Sequence, residues 1–493
     1  MADKNYLILD FGASNGRGFL AKYDGEKFTL HEVHRFENKP VYAAGTLYWD
    51  FLRLYSELKL GILTGVNEER DVSGIGIDTW GVDFGLFDRD GGMIGNTVSY
   101  RDNRTIGVME KLFNIIPKED IFKATGYQLL PIMSLFQIYA MKLKNSPVLD
   151  IAERFLMLPD IFNYYLTGVM VNEFTNATTS LLYSLEKRDW AWDLLKKLGI
   201  ASRIFKKVIA PGTVVGEIQK SVRDEIEVCP IPVIAPATHD TASAVTGIPL
   251  KDKNKKWAVI SIGTWGIMGI ETRMPNLSME ALESGFASEG GVEDYYHFLK
   301  NVNGLWIIQE CKKKWIKNIG KDISWDDIVM QASKARVFRS FLNVDEPSLV
   351  QPQLDMPAQI VNYFRGKNQP VPDGIGEFAR CIYEGLAFRF RYNLEILEGL
   401  IGHKIELIHM VGGGTQNRLL CQFTANATGI EVVAGPSETT AIGNLLMQLK
   451  GTGEIKSLEE GRQIAINSSE LSDYEPQDVG AWEEAYGRYL SVI

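Results

Sequence analysis

The sequence predicts an α/β protein built of two related lobes, and three observations lead there. The chain has 493 residues, too many for a single hydrophobic core, and at ~150 residues per domain it divides into two to four. An apolar strand, a Gly-containing turn and a second strand open it as "LILDFGASNGRGFL" (7–20), and the same order returns as "VISIGTWGIMGIE" (259–271). An interval of about half the chain is too long for a solenoid and suits a duplicated domain. In both halves a strand meander gives way to alternating strand and helix patterns, which calls for sheets carrying parallel strands. The expected boundaries are 1–246 and 247–493, with the last helix able to pack back on the first lobe.

The elements follow from local pattern. "YLILDFGASNGRGFLAKYDGEKFTLHEVHRF" holds three strands whose gaps are too short for a crossover helix, so a β-meander opens the chain. "TLYWDFLRLYSELKLGILTGV" has helical periodicity, and "VSGIGIDTWGVDFGLFDRDGGMIG" returns to strand with a hairpin signal at "DRDGG". Helical patterns dominate from 105 to 205. "IPVIAPA" is a buried strand, and "TASAVTG" is a small-faced helix beginning beside Asp240, a residue type suited to capping it. The turn "PLKDKNKK" connects to the second half, where a long helix (375–400), the strand "IELIHMVGGG", a helix from "TQNRLL", the strand "EVVAG" and the helix "TTAIGNLLMQLKG" succeed one another.

Composition narrows the class of function. Hydrophobic residues make up 45% and charged residues 23%, as in an ordinary globular protein, and the net charge is −10. No Lys/Arg block is present, which argues against nucleic-acid partners or an anionic membrane surface. The four cysteines (229, 311, 381, 421) form no CxxC pair and no Cys/His cluster, so structural zinc and a disulfide scaffold are not expected. Reduced thiols, the absence of a signal-like opening and the absence of any ~18-residue apolar run lead us to expect a cytoplasmic protein.

Three small-residue turns suggest phosphate handling, because they let backbone N–H groups approach an anion. They are "DFGASNGRG" (10–18), "SIGTW" (261–265) and "VGGGTQN" (411–417). There is no Walker A motif. The glycines at 12, 16 and 18 lie between two strands rather than before a helix, so the dinucleotide fingerprint fails and a dehydrogenase is disfavoured.

The order of "DFGASNGRG", "IGIDTWGVDF", "YRDNRT", "LPDIFNYYLTG", "EFTNATTS", "HDTASAV", "SIGTW", "VGGGTQN" and "AGPSETTAIGN" resembles the FGGY carbohydrate kinases across nearly the whole chain. The resemblance implies the two-lobed actin/hexokinase-like (ribonuclease H-like) fold with an interdomain cleft. It places sugar and catalytic base in the first lobe and nucleotide in the second, with ATP and Mg²⁺ as cofactors. Asp240 would be the general base, a role for which a carboxylate suffices because phosphoryl transfer depends mostly on positioning and electrostatics. His239 and Thr241 would lie against the sugar, although a core histidine is an equal reading of His239. Asp10 would orient Mg²⁺ through water. Ala13, Ser14, Asn15, Gly16 and Arg17 would form the first phosphate loop, Arg17 meeting the γ-phosphate. Thr264 falls in the second phosphate loop and Gly413 in the adenosine loop, while Asn301 and Gln309 match substrate and ATP contacts. Polar residues around a helix start would serve equally for that last pair.

Where other family members carry polar or charged residues, this chain has Trp80-Gly81-Val82. Such an apolar wall can accept the methyl of a 6-deoxy sugar, worth roughly 0.8 kcal/mol, so Trp80, Gly81 and Asp83 are sugar-pocket candidates. A hairpin with a core Trp is the plainer alternative. The branch of the family most resembled phosphorylates L-rhamnulose at its 1-hydroxyl; L-fuculose, differing at one hydroxyl, is the nearest rival. A non-catalytic sugar sensor or actin-like protein is the reading from another class. Asp10, Arg17 and Asp240 together favour catalysis. The expected partners are a small ketose and ATP, in a monomer or homodimer, with Cys421 in no disulfide.

Overall fold

The computed structural model describes residues 3–349 and 355–493. They form two compact units that are not contiguous in sequence. The first comprises residues 1–250, 271–298 and 439–468; the second comprises 251–270, 299–438 and 469–493.

A mixed sheet organises the first unit. Its strands run in the spatial order Thr213–Glu217, Pro232–Ala235, Val72–Thr79, Lys4–Phe11, Asn15–Tyr23, Phe28–Glu37. The last three are the antiparallel meander, while Pro232–Ala235, Val72–Thr79 and Lys4–Phe11 are mutually parallel. The strand "NYLILDF" is buried on both faces and divides its side chains by the period of two. Leu7, Leu9 and Phe11 join the core with Leu54, Leu58 and Ile62 of the helix Phe51–Glu68 and with Ile161, Phe162 and Leu166 of the helix Leu158–Thr167. Tyr6 and Ile8 point the other way, into a core with Ala242, Ile442, Leu445, Leu446 and Leu449.

Those last four residues belong to the helix Thr439–Gly451, which is buried almost all round. It crosses the helix Asp240–Thr246 so closely that a Cβ on Gly443 would lie 1.9 Å from the Ser243 carbonyl oxygen, and one on Gly247 would lie 2.1 Å from that of Thr439. A third core fills the helical region 108–205. There the ring of Phe155, on the two-stranded antiparallel sheet Phe84–Phe87/Arg154–Met157, packs with those of Trp190 and Phe205.

In the second unit the strands run Trp265–Thr272, Trp257–Ile262, Leu407–Val411, Val432–Ala434, Ser472–Tyr474. The first pair is antiparallel and the next two pairings are parallel, the same sense as the meander and parallel strands of the first unit. The duplication read from the sequence is therefore present as topology. The 28-residue helix Gly374–Ile401 is the longest element described.

Two expectations change. The segments that leave the second half for the first unit are 271–298 and 439–468, whereas the last helix, Val479–Leu490, stays in the second. Its Trp482 and Tyr489 rings lie 5.1 and 5.2 Å from Phe388 on the long helix, an aromatic stripe matched to an aromatic partner. Asp240, for its part, does not cap its helix: His239 holds the cap position, and Asp240 is the first helical residue.

Candidate active site

Three neighbouring parallel strands of the first unit deliver carboxylates to one edge of the sheet. Asp10 ends one strand, Asp78 is its register partner on the next, and Asp240 follows the third. The carboxyl ends of parallel strands are where such folds place ligands, because the strands stop together and the loops diverge.

Asp10 accepts a hydrogen bond from Arg17 Nη2 at 2.7 Å, the two residues facing each other across the hairpin. The intervening turn is tied by Gly12 N–H to Asn15 O at 2.8 Å and by the Asn38 side chain to Gly12 O at 3.0 Å. Gly16 lets the Phe36 ring pack against the strand, since a Cβ there would lie 2.2 Å from that ring and displace it. Ser14 and Asn15 are left exposed at the tip. Asp78 is fully buried, accepts from Asn444 Nδ2 at 2.5 Å, and is raised well above the usual carboxylate range by burial and by Asp10.

Asp240 keeps 32% of its side-chain surface open, enough for a ligand to reach it. Its Oδ1 accepts from the Thr241 N–H at 2.6 Å. Burial raises its pKa, the His239 imidazole opposes that, and Asp10 adds to it. His239 is no backbone-satisfied core histidine: Nε2 lies 3.6 Å from Asp240 Oδ1 and Nδ1 lies 3.5 Å from Glu289 Oε2. Its backbone N–H reaches Thr175 Oγ1 at 3.2 Å, and the preceding Thr238 is held by Glu173 through its hydroxyl at 2.6 Å. The "TNATT" segment thus anchors the strand-to-helix turn that aims Asp240.

Trp80 and Trp49 are both buried in the core of the first unit, their rings 4.5 Å apart, so the core-tryptophan reading of Trp80 holds. Asp83 is fully buried with them, and its Oδ2 accepts from the indole N–H groups of Trp80 at 2.8 Å and Trp49 at 2.5 Å. The expectation that Asp83 lines the pocket is therefore corrected: an aspartate three residues after a tryptophan can turn back on the indole, and here it does. Gly81 lies against Thr179, where a Cβ would be 2.8 Å from the hydroxyl.

In the second unit Thr264, Gln309 and Gly413 lie on successive strand-end and helix-start segments. Thr264 is exposed in the hairpin turn, its carbonyl accepting from the N–H of Trp306, at the start of the helix that carries Gln309, at 3.0 Å. The 412–416 loop follows the adjacent parallel strand, and Gly414 is packed against Ile262. Gly413 faces open space, with no atom within 4 Å of a Cβ placed there. Asn301 is exposed on the strand Tyr296–Asn303.

Sequence reasoning missed Asp78, Tyr100 and Glu289. Asp78 had a signal, because "IGID" repeats the "LILD" that precedes the first turn. Tyr100, with its ring 6.3 Å from Trp49, has a phenol raised by burial and further by Asp83 and Asp240. Glu289 reaches the site from a distant segment and left no local signature. All four cysteines are free thiols, three of them buried. Among the described residues no group of three or more His, Cys, Asp or Glu has the arrangement of a metal cage, and no helix is long and apolar enough to cross a membrane.

The two units thus share a strand order, each opens on a strand, a small-residue turn and a strand, and the first carries a partly open carboxylate, Asp240, beyond the ends of its parallel strands. Residues 5–247 match the N-terminal domain model of the FGGY family of carbohydrate kinases and residues 258–451 match its C-terminal domain model, so the chain belongs to that family. It is 38% identical over 490 residues to a rhamnulokinase of Bacteroides thetaiotaomicron, covering 99% of both chains. To a rhamnulokinase of Oceanobacillus iheyensis it is 37% identical over 468 residues, 95% of this chain and 97% of the other. Its fold matches a ligand-bound xylulose kinase of Lactobacillus acidophilus with a TM-score of 0.81 at 16% identity, over 99% and 97% of the two chains.

Proposed function

We propose that the chain transfers the γ-phosphoryl group of ATP to the 1-hydroxyl of L-rhamnulose, with Asp240 as general base. The observation that carries the reading is Asp240 itself: a recessed but reachable carboxylate beside His239, at the head of a helix locked by a glycine crossing. Full-length similarity to two proteins named rhamnulokinases supports the sugar. His239 and Thr241 would hold the sugar hydroxyls, with Gly81 and Asn301 as further sugar contacts. In the first unit the turn 13–17 would meet phosphate; in the second, Thr264, Gln309 and Gly413 would hold the nucleotide. Arg17, paired with Asp10, is poised to exchange that carboxylate for a phosphate oxygen, a charge-assisted contact.

Asp10 is the residue that would hold Mg²⁺. A hard carboxylate at a strand end suits an ion that keeps most of its waters and needs one or two protein oxygens rather than a cage. When bound, the ion neutralises phosphate charge; the protein's own part is to orient the hydroxyl and take its proton. The free thiols and the lack of a membrane-crossing helix support a cytoplasmic setting.

Asp240→Asn is the direct test. It is nearly isosteric, so ATP and sugar binding should persist while kcat falls by about 10²-fold or more. A coupled assay across L-rhamnulose, L-fuculose, D-xylulose and glycerol then reads the sugar. Near wild-type kcat in the variant removes Asp240 as base. A preference for D-xylulose or glycerol by about tenfold, some 1.4 kcal/mol in transition-state binding, overturns the substrate.

A further inference from the structure

Behind His239 the first unit buries four more ionisable side chains in single file. Arg462 grips Glu271 with both terminal nitrogens, Nη1 to Oε2 at 2.9 Å and Nη2 to Oε1 at 3.0 Å. Glu271 Oε1 lies 3.7 Å from His297 Nε2, and His297 Nδ1 lies 3.8 Å from Glu289 Oε1. Glu289 Oε2 then meets His239 Nδ1 at 3.5 Å, and His239 Nε2 meets Asp240 Oδ1 at 3.6 Å. From Arg462 to His239 no side chain in the file is more than 9% exposed. The file also closes on itself, since Arg462 Nη2 donates to the Val245 carbonyl of the helix that begins with Asp240.

A buried charge without a partner is strongly unfavourable, and burying five costs more than an apolar core would. With both imidazoles protonated the signs alternate, which makes the arrangement tenable: Arg462 positive, Glu271 negative, His297 positive, Glu289 negative, His239 positive, Asp240 negative. We propose that Arg462, Glu271, His297 and Glu289 are positioning residues that hold His239 as an imidazolium against Asp240 and thereby keep the base ionised. This rests on the reading of Asp240 as general base.

The electrostatics agree in sign. Burial works to raise both glutamates, but His239 and His297 hold Glu289 at about 2, and Arg462 and His297 hold Glu271 at about 2. Burial works to lower both imidazoles, and the glutamates outweigh it. Other groups bear on the same pair. Glu173 supports the charge on His239, Asp10 raises Asp240, and the carboxylates of Glu289 and Asp240 bear on the Tyr127 phenol, that of Asp240 also on Tyr100 and Asp78.

If Glu289 is neutralised, desolvation prevails at His239 and the imidazole sheds its proton. Asp240 then loses its adjacent cation, its pKa rises further, and the base is protonated over a wider acidic range. The acidic limb of the kcat–pH profile must therefore move to higher pH. In Glu289→Gln and separately in His297→Gln, kcat at pH 6 should fall at least about fivefold and recover to within about twofold at pH 9, with sugar KM little changed. In ¹⁵N-histidine-labelled protein, with His239 assigned by His239→Gln, the ring should stay protonated past neutrality in the wild type and lose that protonation in Glu289→Gln. A uniform loss at every pH, or an unchanged His239 titration in Glu289→Gln, overturns the relay. Wild-type turnover in Asp240→Asn instead overturns the base assignment, and the His239 titration still decides whether the file of charges holds the imidazolium. Should Glu289→Gln fail to fold, His297→Gln and its profile decide.

Discussion

Asp83 illustrates how a single buried carboxylate can be structural and still titrate in a visible way. Burial lifts it to about 6, against the lowering effect of the Trp80 and Trp49 indoles and of Arg104. The folded form therefore binds the proton more tightly than the unfolded chain, in which Asp titrates near 3.9. Stability from this group is present at low pH and declines as pH rises from about 4 through about 6, the reverse of a salt-bridged aspartate. Asp83→Asn keeps a carbonyl oxygen for the indoles and removes the charge. Its melting temperature relative to wild type should rise between pH 5 and pH 7.5, by the equivalent of about 1–3 kcal/mol; a constant difference would show that Asp83 is already ionised in the fold at pH 5 and that burial does not raise it. The sequence made the Trp80–Asp83 proximity legible but not its direction. A spacing of three residues in a turn does not say whether the carboxylate faces the ligand or the indole. Asp10 and Asp240 were legible because each lies at or just past the end of an apolar strand beside small residues, and Glu289 was not, because its partners lie on other segments.

At the scale of elements, the position of Asp240 depends on a helix crossing made of glycines. Gly443 and Gly247 let the helices Asp240–Thr246 and Thr439–Gly451 approach to backbone contact, and Asn444 and Gln448 of the second helix bond Asp78 and the Leu7 carbonyl at 2.5 and 2.9 Å. Gly443→Ala must push the helices apart, since the obstacle is backbone that cannot rotate away. It should destabilise by about 1–3 kcal/mol and, by displacing Asp240, lower kcat more than sugar affinity. Gly399 offers the contrast, because a Cβ there meets nothing within 4 Å. Gly399→Ala should stabilise by about 0.5–1 kcal/mol with kcat unchanged. Chemical denaturation and steady-state kinetics on the pair check both, and equal effects would dismiss the crossing. The strands and helices themselves were legible from periodicity and Gly punctuation. The crossing was not, since "TASAVTG" and "TTAIGNLL" read as two small-residue helices with nothing to say that they touch.

For the whole molecule, the break in chain order has a consequence for folding. The sheet face bearing Tyr6 and Ile8 is covered by Ile442, Leu445, Leu446 and Leu449, and the Asn444–Asp78 bond spans 366 residues of sequence. A fragment of residues 1–250 would leave that face open to water, an exposed apolar area of the kind that drives aggregation, and would also lack Glu289, His297 and Arg462. Contacts so distant in sequence carry a large loop-closure cost and form late, so the first unit cannot complete its core until residue 468 has been made. We expect the 1–250 fragment to show no cooperative thermal transition and to bind an apolar dye, and a chain ending at Glu438 to behave alike in its first unit. Supplying the helices as a separate 439–468 peptide should restore protection of the Tyr6 and Ile8 amides in hydrogen exchange, at least in part. A 1–250 fragment that melts cooperatively and protects those amides alone would show that the first unit is complete without its returning helices.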